Sequence, residues 1–303
     1  MLTRRLLALA ALSTPSVHAN AAATANAGVR IPAGFDRVLF YDDFSSGSTL
    51  DLSKWTYDTG TQYPGGPAKW GTGEVQTYTS SPDNIHITPD QTLRIVPLPD
   101  GRGGWTSARI ETVAGWDVGA AVGQKIRIEA RIRLGPAPRG DQMGIWPAFW
   151  TLGSAYRGHY QNWPSVGEVD ILETAHGVSR LWQTLHCGPT AKGGPCNEPG
   201  GRSKQADEHG FKNWNVFAWE MDRRRPEERM TWFVNDQPRF VLKQSDMGKY
   251  WGSVANTKMF LLLNVAVGGA FPDGIAGFRT PTNETIGGLD AAMEVDYVAV
   301  YGV

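Results

Sequence analysis

The segment Lys125–Leu134 alternates between charged and apolar residues, and this pattern constrains the fold more than any other feature of the sequence. It reads KIRIEARIRL, with charged residues at every odd position and apolar residues at every even one. Successive side chains of a β-strand point to opposite faces, so a period of two predicts a strand with one face against a core. Other short segments rich in β-branched or aromatic residues also predict strands, at 93–97, 166–172, 230–234, 259–267 and 293–301.

Gly, Pro, Asn and Asp separate these segments, and no long amphipathic helix or internal repeat lies among them. Many short strands joined by such turns are typical of an all-β sandwich or barrel. Nothing within residues 31–303 resembles an interdomain linker, so we predict a single domain there.

The N-terminus resembles a signal peptide. Arg4 and Arg5 precede an apolar run at 6–12, which is too short to span a bilayer, and residues 17–19 (VHA) resemble a cleavage site. We therefore predict a signal peptide at 1–19, a disordered linker at 20–30 and a secreted, extracellular protein.

The net charge and the sequence motifs disfavour several classes of partner and enzyme. The formal net charge of −1 gives no electrostatic reason to expect nucleic acid or an anionic membrane as partner. The chain has no Gly-x-Ser-x-Gly elbow and no His-Glu-x-x-His pair, which disfavours serine and zinc hydrolases. Gly71 and Gly73 precede no predicted helix, which disfavours a nucleotide-binding loop.

The segment 167–173 (GEVDILE) concentrates three carboxylates. Glu168 and Asp170 share one face of a regular strand, whereas Glu173, five residues from Glu168, would face the other way. A β-bulge that accommodates one extra residue returns Glu173 to the acidic face. Crowded carboxylates raise one another's pKa, which suits glycoside cleavage with retention, where one carboxylate attacks and a second, roughly 5–5.5 Å away, delivers a proton. A solvated acidic strand is the alternative interpretation.

Three tryptophans, Trp146, Trp150 and Trp163, lie just upstream of this segment. Trp146 and Trp150 would share one face of a strand. Such a pair often belongs to a core, but beside three carboxylates it favours stacking on sugar rings, since flat indoles present large apolar faces with a polar edge.

Cys187 and Cys196 are the two cysteines of the chain. Export permits a disulfide, and the Gly- and Pro-rich segment 188–195 between them indicates a loop that the bridge would close. Free thiols are the alternative, and metal binding is disfavoured because no further Cys or His lies at ligand spacing.

Taken in order, the motifs resemble glycoside hydrolase family 16, in particular its β-1,3-glucanase, laminarinase-like branch. The matching blocks are WGTGEVQTY at 70–78, SARI at 107–110, IEAR at 128–131, WPAFW at 146–150, EVDILE at 168–173 and MEVDYVAVY at 293–301. This resemblance implies a β-jelly-roll sandwich of two antiparallel sheets, concanavalin A-like, with an open cleft across the concave sheet. It further implies a monomer that cleaves a neutral β-linked polysaccharide without a catalytic cofactor.

Carried over by position, Glu168 is the nucleophile, Asp170 its supporting carboxylate and Glu173 the acid/base. The same resemblance implies substrate-binding roles for several further residues, and it implies a structural calcium ion bound through Asp296. The substrate-binding set is Trp146, Trp150, Arg109, Trp163, His186 and Glu74. For His186, a hydrogen-bonded core histidine is an equal alternative.

Two departures from the family bear on the substrate. Thr72 and Gly73 stand where β-1,3-glucanases often carry Asn, and the loop between Cys187 and Cys196 is an insertion. An endo-β-1,3-galactanase and an enzyme for mixed-linkage β-1,3(4)-glucan therefore remain alternatives on the same scaffold. A non-catalytic, lectin-like sandwich is disfavoured because it would not need both Glu168 and Glu173.

Overall fold

The computed structural model describes residues 29–208 and 210–303, so the predicted signal peptide and nearly all of the predicted linker lie outside the described residues. The described part of the chain is built mainly from short strands. In chain order they are β1 (Arg37–Asp42), β2 (Trp55–Asp58), β3 (Gln76–Tyr78), β4 (Ile85–Ile87), β5 (Leu93–Ile95), β6 (Leu98–Pro99), β7 (Trp105–Ser107), β8 (Arg109–Thr112), β9 (Lys125–Leu134), β10 (Ile145–Gly153), β11 (Glu168–Glu173), β12 (Arg180–His186), β13 (Arg202–Asp207), β14 (Asn215–Asp222), β15 (Arg229–Val234), β16 (Gln237–Lys243), β17 (Met259–Val267) and β18 (Met293–Gly302). The α-helices of the described residues are α1 (Gln244–Met247), α2 (Trp251–Ala255) and α3 (Ala270–Ala276).

Two large sheets form the sandwich. The first has the order β16-β15-β14-β9-β18-β5-β4, with β1 also paired to β18, and the second has the order β13-β12-β11-β10-β17-β8-β2. All pairings within these two sheets are antiparallel, which confirms the predicted all-β jelly-roll class. A small third sheet, β3-β7-β6, was not predicted and contains a parallel pair, β3 with β7.

The core lies between the two large sheets. The apolar positions of β9 are buried as its alternation predicts, including Ile128 and Ile132. The charged face of β9 is less open than the pattern suggests, because Arg127 and Glu129 are also buried. Arg127 Nε donates to Glu129 at 2.5 Å, and the hydroxyl of Tyr297 donates to the same carboxylate at 2.9 Å. An ion pair within β9 and a hydrogen bond from the neighbouring strand β18 therefore cover this part of the outward face.

Strand β17 is an interior strand of the second sheet. All nine of its residues are buried, and it pairs with β10 along its whole length. Strand β10 in turn pairs with β11 on its other edge. None of the helices in the described part of the chain is both long enough and apolar enough to cross a bilayer.

Candidate active site

The acidic strand β11 contains the bulge that its spacing predicts. Its pairing with β10 is regular from Glu168 to Asp170 and shifts before Glu173, and its pairing with β12 shifts over the same residues. The side chains of Ile171 and Leu172 are both fully buried in the core. Glu168, Asp170 and Glu173 consequently share the outward face of the seven-stranded sheet.

Glu168 lies at one end of this acidic row. Its Oε2 accepts a 3.1 Å hydrogen bond from the indole nitrogen of Trp163, and its Oε1 is 3.8 Å from Nε2 of His186. Burial, followed by the negative charge of Asp170, raises the pKa of Glu168 to about 8, although His186 and the Trp163 bond act in the opposite direction.

Glu173 lies at the other end of the row. Its Oε1 accepts a 3.0 Å hydrogen bond from the indole nitrogen of Trp146, whose ring packs on Phe271 of α3. Burial and then the charges of Asp170 and Glu168 raise the pKa of Glu173 well above its usual range. A raised pKa favours the protonated carboxyl, as a general acid requires.

His186 lies between carboxylates of two different elements. Its Nε2 is 3.3 Å from Asp170 Oδ2, and its Nδ1 is 2.6 Å from Oε2 of Glu198, in the loop after β12. Burial opposes a charge on the ring, but the bonds to Asp170 and Glu198 and the charge of Glu168 outweigh burial. Together they raise the pKa of His186 well above its usual range. The surrounding carboxylates therefore favour the charged form of His186, and the ring contacts the acidic row directly.

The aromatic residues divide into two kinds. Trp146 and Trp163 donate directly to the outer carboxylates, as described above. Trp150 instead donates to Asn264 Oδ1 at 2.7 Å, and Asn264 donates to the hydroxyl of Tyr78 at 3.0 Å. Trp150 retains a partly exposed ring on the same outward face. The sequence pattern did not identify Asn264, because an Asn inside a wholly buried strand carries no signal of a polar partner.

Arg109 and Glu74, which were expected to bind substrate, are both buried side chains. Arg109 is 4% exposed, donates to Asp58 at 3.0 Å and lies under the ring of Trp150 at 4.9 Å. Glu74 is 6% exposed, and its two oxygens accept hydrogen bonds from Thr72, Gln76 and Tyr78. Both side chains are thus held in place by hydrogen bonds to neighbouring residues.

The predicted disulfide is confirmed. Cys187 and Cys196 are bonded, with their Cα atoms 5.4 Å apart. The backbone N–H of Cys187 donates to Oε1 of Glu198 at 2.9 Å, so the bridge begins beside the residue that contacts His186.

The residues at Asp296 do not fit the expected calcium site. Asp296 Oδ2 accepts a 2.6 Å hydrogen bond from the guanidinium of Arg131, a cation that competes directly with a metal ion. The one group of three or more potential metal ligands found among the described residues is Glu168, Asp170 and His186, whose ligand atoms lie within 4.8 Å of one another. That group belongs to the acidic row itself, and two-carboxylate glycoside cleavage requires no cofactor.

The comparisons with known proteins agree with this geometry. Residues 104–218 match a family model described as XgeA-like, catalytic GH16 domain. The crystal structure of an endo-1,3-β-glucanase from Streptomyces sioyaensis is similar with a TM-score of 0.85 and 38% identity, over 91% of this chain and 99% of that one. A β-glucanase of Rhodothermus marinus is 31% identical over 87% of this chain and 84% of its own length. Glucan endo-1,3-β-glucosidase A1 of Niallia circulans is 30% identical over 87% of this chain, which spans 37% of that longer protein. The chain belongs to glycoside hydrolase family 16.

Proposed function

We propose that this chain is a secreted, monomeric endo-hydrolase of β-1,3-linked glucan that retains anomeric configuration, with residues 31–303 as its catalytic domain. The observation that carries the proposal is the acidic row. Two outer carboxyl groups, Glu168 and Glu173, each accept an indole N–H, and Asp170 lies between them. The relatives named above are β-glucanases, and the outward face of the seven-stranded sheet is the proposed substrate cleft.

In the first step, a carboxylate oxygen of Glu168 forms a bond to the anomeric carbon as the glycosidic C–O bond breaks. Glu173 transfers its proton to the leaving oxygen, so the released sugar departs as a neutral alcohol. The proton belongs on Glu173 because its pKa is raised well above the usual range. Glu168 must lose its proton to act as the nucleophile, and the N–H of Trp163 and the charge of His186 favour that ionised form against the effects of burial and of Asp170.

In the second step, Glu173 acts as the base. It accepts a proton from a water molecule whose oxygen bonds to the anomeric carbon, and the bond between that carbon and Glu168 breaks. The product leaves with its original configuration after two inversions, and both carboxyl groups return to their starting protonation states.

The partly exposed face of Trp150 is the proposed platform for a sugar ring. The rings of Trp146 and Trp163 combine sugar contact with the hydrogen bonds that orient the two outer carboxylates. Because Arg109 lies beneath Trp150, the guanidinium fixes the platform from the protein side.

An endo-β-1,3-galactanase is the second candidate. Thr72 donates its hydroxyl to Glu74 at 2.8 Å and Gly73 has no side chain, so neither supplies the amide that β-1,3-glucanases often place there. The loop closed by the disulfide is an insertion, and Glu198, two residues beyond Cys196, contacts His186 beside the acidic row.

The test is a panel of intact polymers, namely β-1,3-glucan, mixed-linkage β-1,3(4)-glucan and β-1,3-galactan, with products separated by chromatography. We expect early oligosaccharides of several lengths from β-1,3-glucan, and none from the same polymer incubated with Glu168→Gln. Cleavage of galactan alone would select the second candidate. Binding of a polymer without cleavage would contradict hydrolysis and indicate a non-catalytic sugar-binding protein.

A further inference from the structure

Glu198 is a buried carboxylate whose two oxygens are both committed to the catalytic side of the molecule. Its side chain has no exposed surface. Oε2 is 2.6 Å from His186 Nδ1, and Oε1 accepts the backbone N–H of Cys187 at 2.9 Å. A buried ionised carboxylate is costly unless it is paired and hydrogen-bonded, and His186 is the cation that pairs with it here.

The partners of the His186 ring fix its protonation and its orientation together. A carboxylate only accepts hydrogen bonds, so Nδ1 must carry a hydrogen toward Glu198, while Nε2 lies 3.3 Å from Asp170 Oδ2 as an ion-pair contact. The ring is thereby held as a charged bridge between a loop carboxylate and the central carboxylate of the acidic row. Glu168 is the third titratable group that faces it.

The loop that carries Glu198 is tied at several points. The backbone groups of Glu198 and Gly193 exchange two hydrogen bonds of 2.7 Å, and Cys196 is bonded to Cys187 at the end of β12. At Gly201, where φ is +66°, an added Cβ would lie 2.3 Å from Thr184 and 3.0 Å from the His186 ring. The loop is therefore packed directly against the ring that it positions.

We propose that Glu198 is a positioning residue for hydrolysis, that it acts through His186 on Asp170, and that the Cys187–Cys196 disulfide holds it in place. The inference rests on the proposed function. Glu198 itself lies behind His186 and touches no reacting atom. Its effect is to keep a positive charge fixed beside Asp170 and Glu168 while charge develops and disappears on the nucleophile.

The first experiment compares Glu198→Gln with Glu294→Gln. The control residue is a buried Glu on the other sheet, where it is hydrogen-bonded by Thr92, Arg94 and Arg133. We expect Glu198→Gln to lower kcat by about tenfold or more with KM nearly unchanged, as loss of an outer partner of a functional His does in other sites. Glu294→Gln should lower the melting temperature and leave kcat unchanged. Glu198→Asp, which keeps the charge, should recover part of kcat.

The second experiment reads the imidazole itself by 15N NMR across pH. In the wild type, both ring nitrogens of His186 should remain protonated well above neutral pH. In Glu198→Gln the neutral ring should appear at lower pH, because one of the carboxylates that raise its pKa is gone. The NMR readout does not depend on turnover. A wild-type protein that cleaves no β-glycan would contradict the proposed function. An unchanged His186 titration in Glu198→Gln would instead contradict the effect of Glu198 on His186.

The third experiment removes the disulfide in the Cys187→Ser, Cys196→Ser double variant. We expect kcat to fall in the same direction as in Glu198→Gln, and the combination of all three changes to be little worse than Glu198→Gln alone, because both act through one contact. Additive losses would show that the disulfide acts elsewhere. The proposal is overturned if folded Glu198→Gln keeps wild-type kcat and an unchanged His186 titration.

Discussion

The indole nitrogen of Trp146 donates a 3.0 Å hydrogen bond to Glu173 Oε1, so this tryptophan belongs to the chemistry as well as to the wall of the cleft. The bond opposes the effect of burial on the pKa of Glu173. We predict that Trp146→Phe, which keeps an apolar ring and loses the donor, raises this pKa further. The alkaline limb of the kcat profile should then move to higher pH and kcat should fall. An alkaline limb at the wild-type position would show that the bond does not act on the proton donor.

Trp150 should behave differently, because its indole donates to Asn264 and not to a catalytic carboxylate. Stacking on a sugar before and during bond cleavage is mostly uniform binding, so its loss raises KM and leaves kcat largely unchanged. We predict that Trp150→Ala raises KM roughly tenfold, equivalent to a loss of ~1.4 kcal/mol of binding. Thermal melting is the control, since a large fall in melting temperature with unchanged KM would identify a core tryptophan.

The two outer carboxylates are predicted to be individually essential. Glu173→Gln should lose about 10²–10⁴-fold in kcat, the usual contribution of general acid–base catalysis, and Glu168→Gln should lose at least as much. Circular dichroism should show both variants folded. Azide should restore turnover to Glu168→Ala by replacing the nucleophile, with a glycosyl azide of inverted configuration as product. A folded Glu168→Gln variant that keeps several per cent of wild-type activity would remove the nucleophile assignment.

Retention of configuration is a separate prediction, because it tests the two-step mechanism and not the identity of each residue. Glu168 and Glu173 project from one strand, which leaves little room for the water that an inverting enzyme places between its carboxyls. Proton NMR of fresh hydrolysate should show the β-anomer first, followed by mutarotation. An initial α-anomer would exclude the mechanism.

The raised pKa of Glu168 also predicts how stability depends on pH. The folded state binds a proton at Glu168 up to about pH 8, whereas an unfolded Glu releases it near pH 4.5. The group therefore destabilises the fold increasingly as pH rises from about 4.5 to about 8. Glu168→Gln should raise the melting temperature, by a larger amount at pH 8 than at pH 5. Equal increments at both pH values would mean that Glu168 is not perturbed in the folded protein.

The shared face of the acidic row could be predicted from the sequence because it depends only on the spacing of residues within one strand. The five-residue spacing of Glu168 and Glu173 requires a bulge, and the alternation of β9 requires a sandwich face, so both predictions were confirmed by the structure. Burial beneath a surface is a different kind of property. Arg109 and Glu74 resemble cleft residues in their motifs, and only the packed rings and the partners Asp58 and Tyr78 reveal that they lie below it.

Glu198 was missed for a related reason. It follows Cys196 by two residues in a Gly- and Pro-rich loop, and a Glu in such a loop is usually solvated. Nothing in the sequence pairs it with His186, because that contact depends on the path of the loop back across β12. The pairing of Asp296 with Arg131 was also not predicted, since it is set by two strands that are distant in sequence.

The bulge in β11 has a consequence for how the acidic strand is anchored. Ile171 and Leu172 both enter the core at a point where a regular strand would supply one apolar side chain between two outward ones. If either were deleted, Glu168, Asp170 and the final Glu would fall on alternate positions and would still face outward by simple parity. The acidic row is thus compatible with a strand of either length. In the longer strand, the additional residue supplies a second apolar side chain that anchors the strand in the core beneath the catalytic groups.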